Sequence, residues 1–126
     1  MNRWFTSTFV RKAVGLTERQ FYYAIKNGII SGLKSRGSIP MSLDLKNFYI
    51  AYFVAELRKN GVSMQRASIV VEIFKENLDK IIKWKSLRVL IEKKDTLIFF
   101  NGDSFCNKPL GLIIDFNKLF KLISED

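Results

Sequence analysis

The sequence predicts a mainly α fold, in which two short helices and a basic β-wing precede two longer helices and a short β-rich C-terminal extension. Apolar residues recur at spacings of three and four through most of residues 6–78, as on the buried face of a helix. Beyond Lys80 they come in short runs between turn residues, which is typical of strands. The 126 residues, 48% of them hydrophobic, suffice for one core. We therefore expect residues 1–79 and the tail 80–126 to pack as one domain.

The composition excludes several kinds of catalytic and metal site. The chain has no histidine and a single cysteine, Cys106. This excludes an intrachain disulfide, a zinc site built on Cys and His pairs, and a His-dependent catalytic triad. The acidic residues are scattered, without a close cluster such as Asp-x-Asp that would hold magnesium. We therefore expect no enzyme activity, no catalytic residues, no metal and no cofactor, and we interpret Cys106 as an ordinary small residue near a turn.

The apolar residues are spread over many short runs. None of these runs approaches the roughly 20 residues that cross a bilayer. Residues 1–9 hold no apolar stretch of signal-peptide length. These observations predict a cytoplasmic protein without a membrane partner.

The positive charge is concentrated in the first half of the chain. The formal net charge is +9, and residues 1–60 hold ten basic and three acidic residues, whereas residues 61–126 hold eleven and nine. A concentrated positive surface favours a polyanionic partner, and the phosphate backbone of a nucleic acid is the commonest one. A coding bias toward lysine is the alternative, but it explains the arginines poorly and does not explain the asymmetry.

The first helix is predicted over Thr6–Val14, where four apolar side chains lie on one helical face. Thr6 or Ser7 is expected to cap it, because a side-chain hydroxyl accepts a hydrogen bond from a free backbone N–H of the first turn. Gly15 is expected to end the helix.

The second helix is predicted over Glu18–Asn27. Thr17 followed three residues later by Gln20 forms the capping-box pattern, and Gly28 is suited to the C-terminal end. Two short helices joined by a tight turn form a helix-turn-helix, although helical pairs of this size are also common in proteins that bind no DNA. The buried face is expected to hold Phe21, Ala24 and Ile25, with Phe21 and Ile25 as the main buried pair.

A basic wing is predicted over Ile29–Pro40. Two short extended pieces flank a tip that contains glycine and the cations Lys34 and Arg36. The alternative is a surface loop whose cations are merely solvated.

Two longer helices are predicted next. Ser42 is expected to cap Leu43–Lys59, whose many apolar residues indicate the central core helix, and Asn60-Gly61 is expected to end it. Ser63 is expected to cap Met64–Leu78. The inner face of this helix is predicted to carry Ile69, Val70, Ile73, Phe74 and Leu78.

The tail is predicted to contain three strands and a terminal helix. Leu87–Glu92 and Leu97–Phe100 are expected to be joined through the polar segment 93–96. Leu112–Ile114 is expected to form the third strand. The terminal helix is indicated by Phe116, Leu119, Phe120 and Ile123.

This order of elements resembles the MerR family of winged helix-turn-helix proteins. The resemblance is carried by VGLTERQFYYAIKNGII (Val14–Ile30) and YFVAELRKNGVSMQRASIVVEIF (Tyr52–Phe74). Arg19, Tyr23 and Gly28 match the arginine, the aromatic residue and the helix-ending glycine of the family's DNA-reading unit. The resemblance implies a MerR-like winged helix-turn-helix that binds double-stranded DNA.

The chain departs from that family's pattern in three places. Tyr22 and Ala24 stand where many members carry an arginine and a second tyrosine. The wing has the residues 36–40 (Arg-Gly-Ser-Ile-Pro) instead of Gly-Tyr-Arg-x-Tyr. After Lys80 the chain turns to strands, where MerR activators continue into a coiled-coil dimerisation helix and an effector domain. We therefore expect repression rather than effector-dependent activation.

A second resemblance covers the run from Pro40 to Phe100. This run is similar to MerR-like antitoxins of toxin–antitoxin pairs with PIN-type nucleases, which also place a β-rich tail directly after the winged domain. The similarity implies an antitoxin whose tail binds a PIN-type toxin.

The DNA-binding residues are expected mainly on the second helix and the wing. That helix is expected to enter the major groove with its N-terminal, outward residues at base edges. Arg19 is the leading candidate, because arginine pairs with guanine through two donors. At least one of the two tyrosines is expected to face outward. The other candidates are Glu18, Gln20, Tyr22 and Tyr23 for bases, Arg11, Lys12 and Lys26 for phosphates, and Lys34 and Arg36 for the flanking backbone or the minor groove.

Specific binding is expected from a homodimer on a two-fold site. Strands Leu87–Ile91 and Leu97–Phe100 are the candidate pairing surface, with ordinary core packing as the alternative. Two other functions stay open at this point: a protein–protein interaction module, and an architectural, excisionase-like DNA-binding protein with low sequence selectivity.

Overall fold

The computed structural model describes residues 3–34, 40–92, 96–102 and 111–125. The chain divides into two compact units, Met1–Val71 and Glu72–Asp126. Within the described residues there are six strands and five helices: β1 (Trp4–Thr6), α1 (Ser7–Val14), α2 (Glu18–Lys26), β2 (Leu33–Lys34), β3 (Pro40–Asp44), α3 (Leu45–Lys59), α4 (Met64–Ile81), β4 (Arg88–Glu92), β5 (Thr96–Phe100), β6 (Leu112–Asp115) and α5 (Asn117–Glu125).

The prediction of a mainly α fold, a MerR-like winged helix-turn-helix with a β-rich extension, is wrong. Each unit contains a three-stranded antiparallel sheet, with strand order β1-β3-β2 in the first and β5-β4-β6 in the second. Helices and sheets therefore share the described residues in an α/β fold. The sequence pattern missed β1, because three residues are too few to show an apolar alternation.

The sheet of the first unit is organised around β3. Phe5 of β1 pairs with Leu43, and both side chains are buried. Ser42 pairs with Thr6 on one side and with Leu33 on the other. Ser42 therefore lies inside a strand, and its predicted role as a helix cap is wrong.

The cap of α3 is Asp44, whose Oδ1 accepts a hydrogen bond from the Asn47 N–H at 3.0 Å. The helix accordingly begins at Leu45, two residues later than predicted. Its role as a central core helix is confirmed, because nine of its fifteen residues are buried. It ends at the predicted Asn60-Gly61, where Asn60 is the C-cap residue.

Helix α4 begins at Met64 as predicted, and the Ser63 hydroxyl accepts from the Arg66 N–H at 3.2 Å. It continues to Ile81, three residues beyond the predicted end. Ile69, predicted to face inward, is 61% exposed. It lies on the side of the helix opposite the row that is buried, because a residue two positions along an α-helix is turned by about 200°. The predicted inward positions of Val70, Phe74 and Leu78 are confirmed, whereas Ile73 is half-buried. The buried residues of α4 are Ala67, Val70, Val71, Phe74, Leu78 and Ile81.

In the second unit, β4 is the central strand. Leu90 pairs with Ile98 of β5 and with Ile113 of β6. The three strands and the terminal helix α5 confirm the predictions for the tail to within one residue at each strand end. Phe74 stacks on Phe116 with ring centroids 5.6 Å apart, and both rings are fully buried.

Several sequence predictions fall outside the described residues, among them the turn residues 93–95 and Cys106. Across the described ranges, none of the helices has the length and apolar character that crossing a membrane requires.

Candidate nucleic-acid interface

The first helix of the predicted DNA-reading unit has defined ends. The Thr6 hydroxyl accepts from the Phe9 N–H at 3.1 Å, so Thr6 rather than Ser7 is the cap. Gly15 adopts a left-handed φ of 84°, which a residue without a Cβ tolerates at little cost. This turn lets the backbone N–H groups of Gly15 and Leu16 both donate to the carbonyl of Arg11, at 3.0 and 3.1 Å.

The second helix begins with the predicted capping box. The Gln20 N–H donates to the Thr17 hydroxyl at 3.1 Å, and the Thr17 N–H donates to Gln20 Oε1 at 3.0 Å. These two bonds satisfy backbone donors that no helical carbonyl reaches. Gln20, predicted to contact a base, thus has a structural role at the start of α2 and is half-buried.

Five exposed residues form one continuous surface on α2, which we call the α2 arc. At 100° per residue they occupy about 140° of the helix circumference. On the opposite side, Phe21 and Ala24 are 2% and 0% exposed, whereas Ile25 is only half-buried. Ala24 rather than Ile25 is therefore the buried partner of Phe21. The α2 arc consists of Glu18, Arg19, Tyr22, Tyr23 and Lys26.

Both tyrosines of the α2 arc face outward, with Tyr22 44% and Tyr23 37% exposed. The cations Arg19 and Lys26 are also exposed, as is Lys12 on α1. Within the described part of the chain, none of these three cations makes a hydrogen bond or ion pair. Their charges are therefore available to an anionic partner.

Arg11 braces the turn between α1 and α2. Its Nη1 donates to the carbonyl of Leu16 at 3.2 Å, and its Nη2 lies 3.9 Å from Glu18 Oε1. The Arg11 side chain is 21% exposed, whereas that of Glu18 is 88% exposed. Arg11 was predicted to contact phosphate, and the structure gives it a bracing role that the sequence did not indicate. The two partners lie five and seven residues away across a turn, a spacing for which no local rule predicts contact.

An open groove of about 210 Å³ lies beside this brace. It lies between the first turn of α1 and the start of α2. Its lining is mixed, with hydroxyl, charged and aromatic groups. The lining residues are Ser7, Thr8, Arg11, Glu18 and Phe21.

The predicted wing is described in part. Leu33 and Lys34 of β2 pair antiparallel with Ser42 and Pro40 of β3, with a shift of register between the two pairs. The Ser7 hydroxyl donates to the Pro40 carbonyl at 2.5 Å, which ties α1 to the base of the wing. The Lys34 side chain and the whole of Arg36 lie outside what the structure describes.

Among the described residues, no group of three or more Cys, Asp or Glu side chains is placed to hold a metal ion.

Of the predicted site residues, the structure brings five together on the α2 arc: Glu18, Arg19, Tyr22, Tyr23 and Lys26. Lys12 is exposed on the preceding helix. Gln20 and Arg11 instead form hydrogen bonds that hold the start of α2 and the turn before it.

No protein-family model matches this chain, and no curated protein matches it.

Proposed function

We propose that this protein is a sequence-specific regulator that binds double-stranded DNA and reads the major groove with α2. The observation that carries the proposal is the α2 arc, which presents two cations and two tyrosines opposite a buried face. The arc belongs to a unit, residues 1–71, with eleven basic and three acidic residues. Such a surface suits a partner that combines dense negative charge with flat, hydrogen-bonding base edges.

The dimensions and chemistry of the arc fit this role. A helix with its side chains is about 10–12 Å wide, and the major groove of B-DNA is about 12 Å wide. Arg19, in the first turn of α2, has two parallel donors for the O6 and N7 acceptors of guanine. Tyr22 and Tyr23 each offer a ring to thymine methyl groups and a hydroxyl to a base or phosphate. Lys26 and Lys12 supply phosphate contacts, which position the protein without reading sequence.

The framework behind the arc supports the same proposal. Base readout needs a helix held in one orientation, because ordering it on binding costs affinity. The capping box fixes the start of α2, the Arg11 bond links α1 to the turn before α2, and the bond from Ser7 to Pro40 ties α1 to β3. The helix therefore meets DNA already oriented.

A nine-residue helix reaches only a few base pairs, so useful specificity needs two copies on an inverted repeat. We propose that the protein acts as a homodimer and represses transcription by occupying a promoter. An operator at its own promoter would support the further proposal that it is an antitoxin whose tail binds a PIN-type nuclease.

Selection of genomic DNA fragments by the purified protein, at a physiological ionic strength of about 0.15 M, tests the proposal. We expect one or a few inverted-repeat sites to be enriched. Broad retention without a common motif would replace sequence-specific regulation with an architectural, excisionase-like role. If no DNA is retained, the proposal is wrong.

A protein–protein interaction module is the second candidate. It is favoured by the two adjacent exposed tyrosines, since tyrosine is enriched at protein interfaces. In that case the α2 arc would still be the contact surface, but binding would depend on Tyr22 and Tyr23 rather than on Arg19 and Lys26. The DNA selection separates the two candidates, because only the first predicts retention of DNA.

A further inference from the structure

We infer that Glu18 determines base specificity, and that it selects cytosine at the base pair that faces the first turn of α2. Arg11 acts as its positioning residue. The inference rests on the proposed function and adds to it a base preference and two residue roles.

The charge of Glu18 is the first reason. It is the only acidic residue among the first 40 residues of the chain, which hold seven basic ones. An exposed carboxylate on a surface that binds DNA is repelled by phosphates and lowers affinity for every sequence. A carboxylate that accepts a hydrogen bond from the N4 amino group of cytosine recovers that loss only at the correct base. Because the repulsion applies at every base and the hydrogen bond forms only at cytosine, Glu18 favours sequences that have cytosine at this position.

The place of Glu18 on α2 is the second reason. It is the first residue of the helix and lies on the α2 arc next to Arg19 and one turn before Tyr22. When a helix enters the major groove, its N-terminal residues make the base contacts. The Glu18 side chain is 88% exposed and borders the groove between α1 and α2, so its carboxylate is accessible to an incoming base.

The contact with Arg11 is the third reason. The guanidinium is held by its bond to the Leu16 carbonyl, and its Nη2 lies 3.9 Å from one Glu18 oxygen. A cation held on one side of the carboxylate attracts one of its oxygens and leaves the second oxygen for the base. It also offsets part of the repulsion between Glu18 and the phosphates.

An acidic residue in the first turn of a helix also interacts favourably with the helix dipole. That role predicts an effect on stability alone, whereas base readout predicts an effect on sequence preference. The two are separated by measuring thermal unfolding and the selected DNA motif on the same variants.

The experiment is in-vitro selection from random duplex DNA with the wild-type protein, Glu18→Gln and Glu18→Ala. We expect a cytosine at one position of each half-site for the wild type. Glu18→Gln should move the preference at that position to adenine, because an amide pairs with adenine N6 and N7 through one acceptor and one donor. Glu18→Ala should lose roughly 5- to 150-fold of discrimination there, the usual effect of one mismatched pair, and keep the motif elsewhere.

Arg11→Lys and Lys12→Ala provide the matched pair for the positioning role. Arg11→Lys keeps the charge but loses the fork that binds Leu16 and faces Glu18, so it should broaden the preference at the cytosine position alone. Lys12→Ala removes a charge from the neighbouring exposed residue and should weaken all sequences alike. Both are compared at temperatures where circular dichroism shows the fold intact.

An unchanged motif in both Glu18 variants, or a wild-type motif without this cytosine, would overturn the inference and leave the proposed function in place. If the wild-type protein enriches no motif at all, the proposed function itself fails.

Discussion

The two units of this protein are built from similar parts but present different surfaces. Each has a three-stranded antiparallel sheet with helices attached. Residues 1–71 hold eleven basic and three acidic residues, whereas residues 72–126 hold ten and nine. The first unit displays the α2 arc, while the second has a core of aromatic rings around Phe74.

The difference shows that partner chemistry follows from the surface and not from the class of fold. A nearly neutral unit has little electrostatic attraction for DNA, whereas a strongly basic one is attracted to any polyanion. Changes in the buried core of the second unit should therefore lower stability. Changes to the exposed cations of the α2 arc should weaken DNA binding.

The largest expected effect concerns the core of the second unit. Phe74 is 0% exposed, stacks on Phe116 and lies 6.3 Å from the Phe99 ring. Phe74→Ala should lower the free energy of unfolding by about 3–5 kcal/mol, because it removes apolar contacts and leaves a cavity. Urea denaturation followed by circular dichroism measures this. The control Ile98→Ala, on the partly exposed β5, should cost far less, and equal losses would contradict the assignment of the core.

The next effect concerns pH and the core of the first unit. Burial raises the pKa of Tyr49 to about 12. The unfolded chain then loses this proton first, from its ordinary pKa of about 10. The contribution of Tyr49 to stability is therefore complete below pH 10 and falls by about 3 kcal/mol as the pH rises to 12. Unfolding measured across this window should show the decline. Tyr49→Phe should flatten it, whereas the exposed Tyr22→Phe should not.

In each unit, one glycine directly before a strand is approached too closely by a neighbouring strand to carry a side chain: Gly32 before β2 and Gly111 before β6. A Cβ at Gly111 would collide with the Ile91 carbonyl, and one at Gly32 with the Ser42 carbonyl. Gly111→Ala and Gly32→Ala should each cost about 1–3 kcal/mol, the usual range for overpacking. Thermal unfolding measures both, with Thr96→Ala on the exposed side of β5 as the control. If the glycine variants were as stable as Thr96→Ala, the neighbouring strands would have moved apart without loss of stability, and the prediction would be wrong.

The central binding prediction concerns Arg19. Arg19→Ala should weaken binding to the selected operator by about 1–3 kcal/mol and relax the preference at one base pair. Fluorescence anisotropy with the operator duplex and with a scrambled duplex measures both effects. Lys121→Ala removes one exposed charge from α5 in the second unit and should change neither. Equal losses for the two variants would indicate attraction by net charge alone.

The smallest effect is expected for Lys26. If it neutralises one phosphate in each protomer, Lys26→Ala should make the slope of log K against log salt less steep by about 0.9 per protomer. The loss of affinity should be the same for all sequences. A titration at several salt concentrations measures the slope, and an unchanged slope would remove Lys26 from the interface.

Short-range features of the fold were predictable from the sequence. Both ends of α1 and the start of α2 follow from Thr6, Gly15 and Thr17, which act within four residues of their own position. The missed features depend on distant partners. β1 exists because it pairs with β3, about 40 residues away, and Ser42 lies in a strand because two others flank it.

The candidate site divides in the same way. The exposure of Arg19, Tyr22 and Lys26 follows from their spacing on a helix whose other side is apolar. The capping role of Gln20 was predicted from its spacing to Thr17, but the structural role of Arg11 was not. Arginine suits a phosphate contact by residue type, and only the hydrogen bond from Arg11 to the Leu16 carbonyl reveals its role in the turn.

The sequence by itself determined the local helix signals, the concentration of positive charge in the first half and the lack of histidine chemistry, because these depend on composition and on interactions between near neighbours. Only the tertiary structure decided that the fold is α/β, which side of α4 is buried, and that the Ser7 hydroxyl bonds to the Pro40 carbonyl 33 residues away. Such contacts form when segments distant in sequence pack together and exclude water. Which of several similar side chains becomes buried or hydrogen-bonded therefore depends on the segment that packs against it.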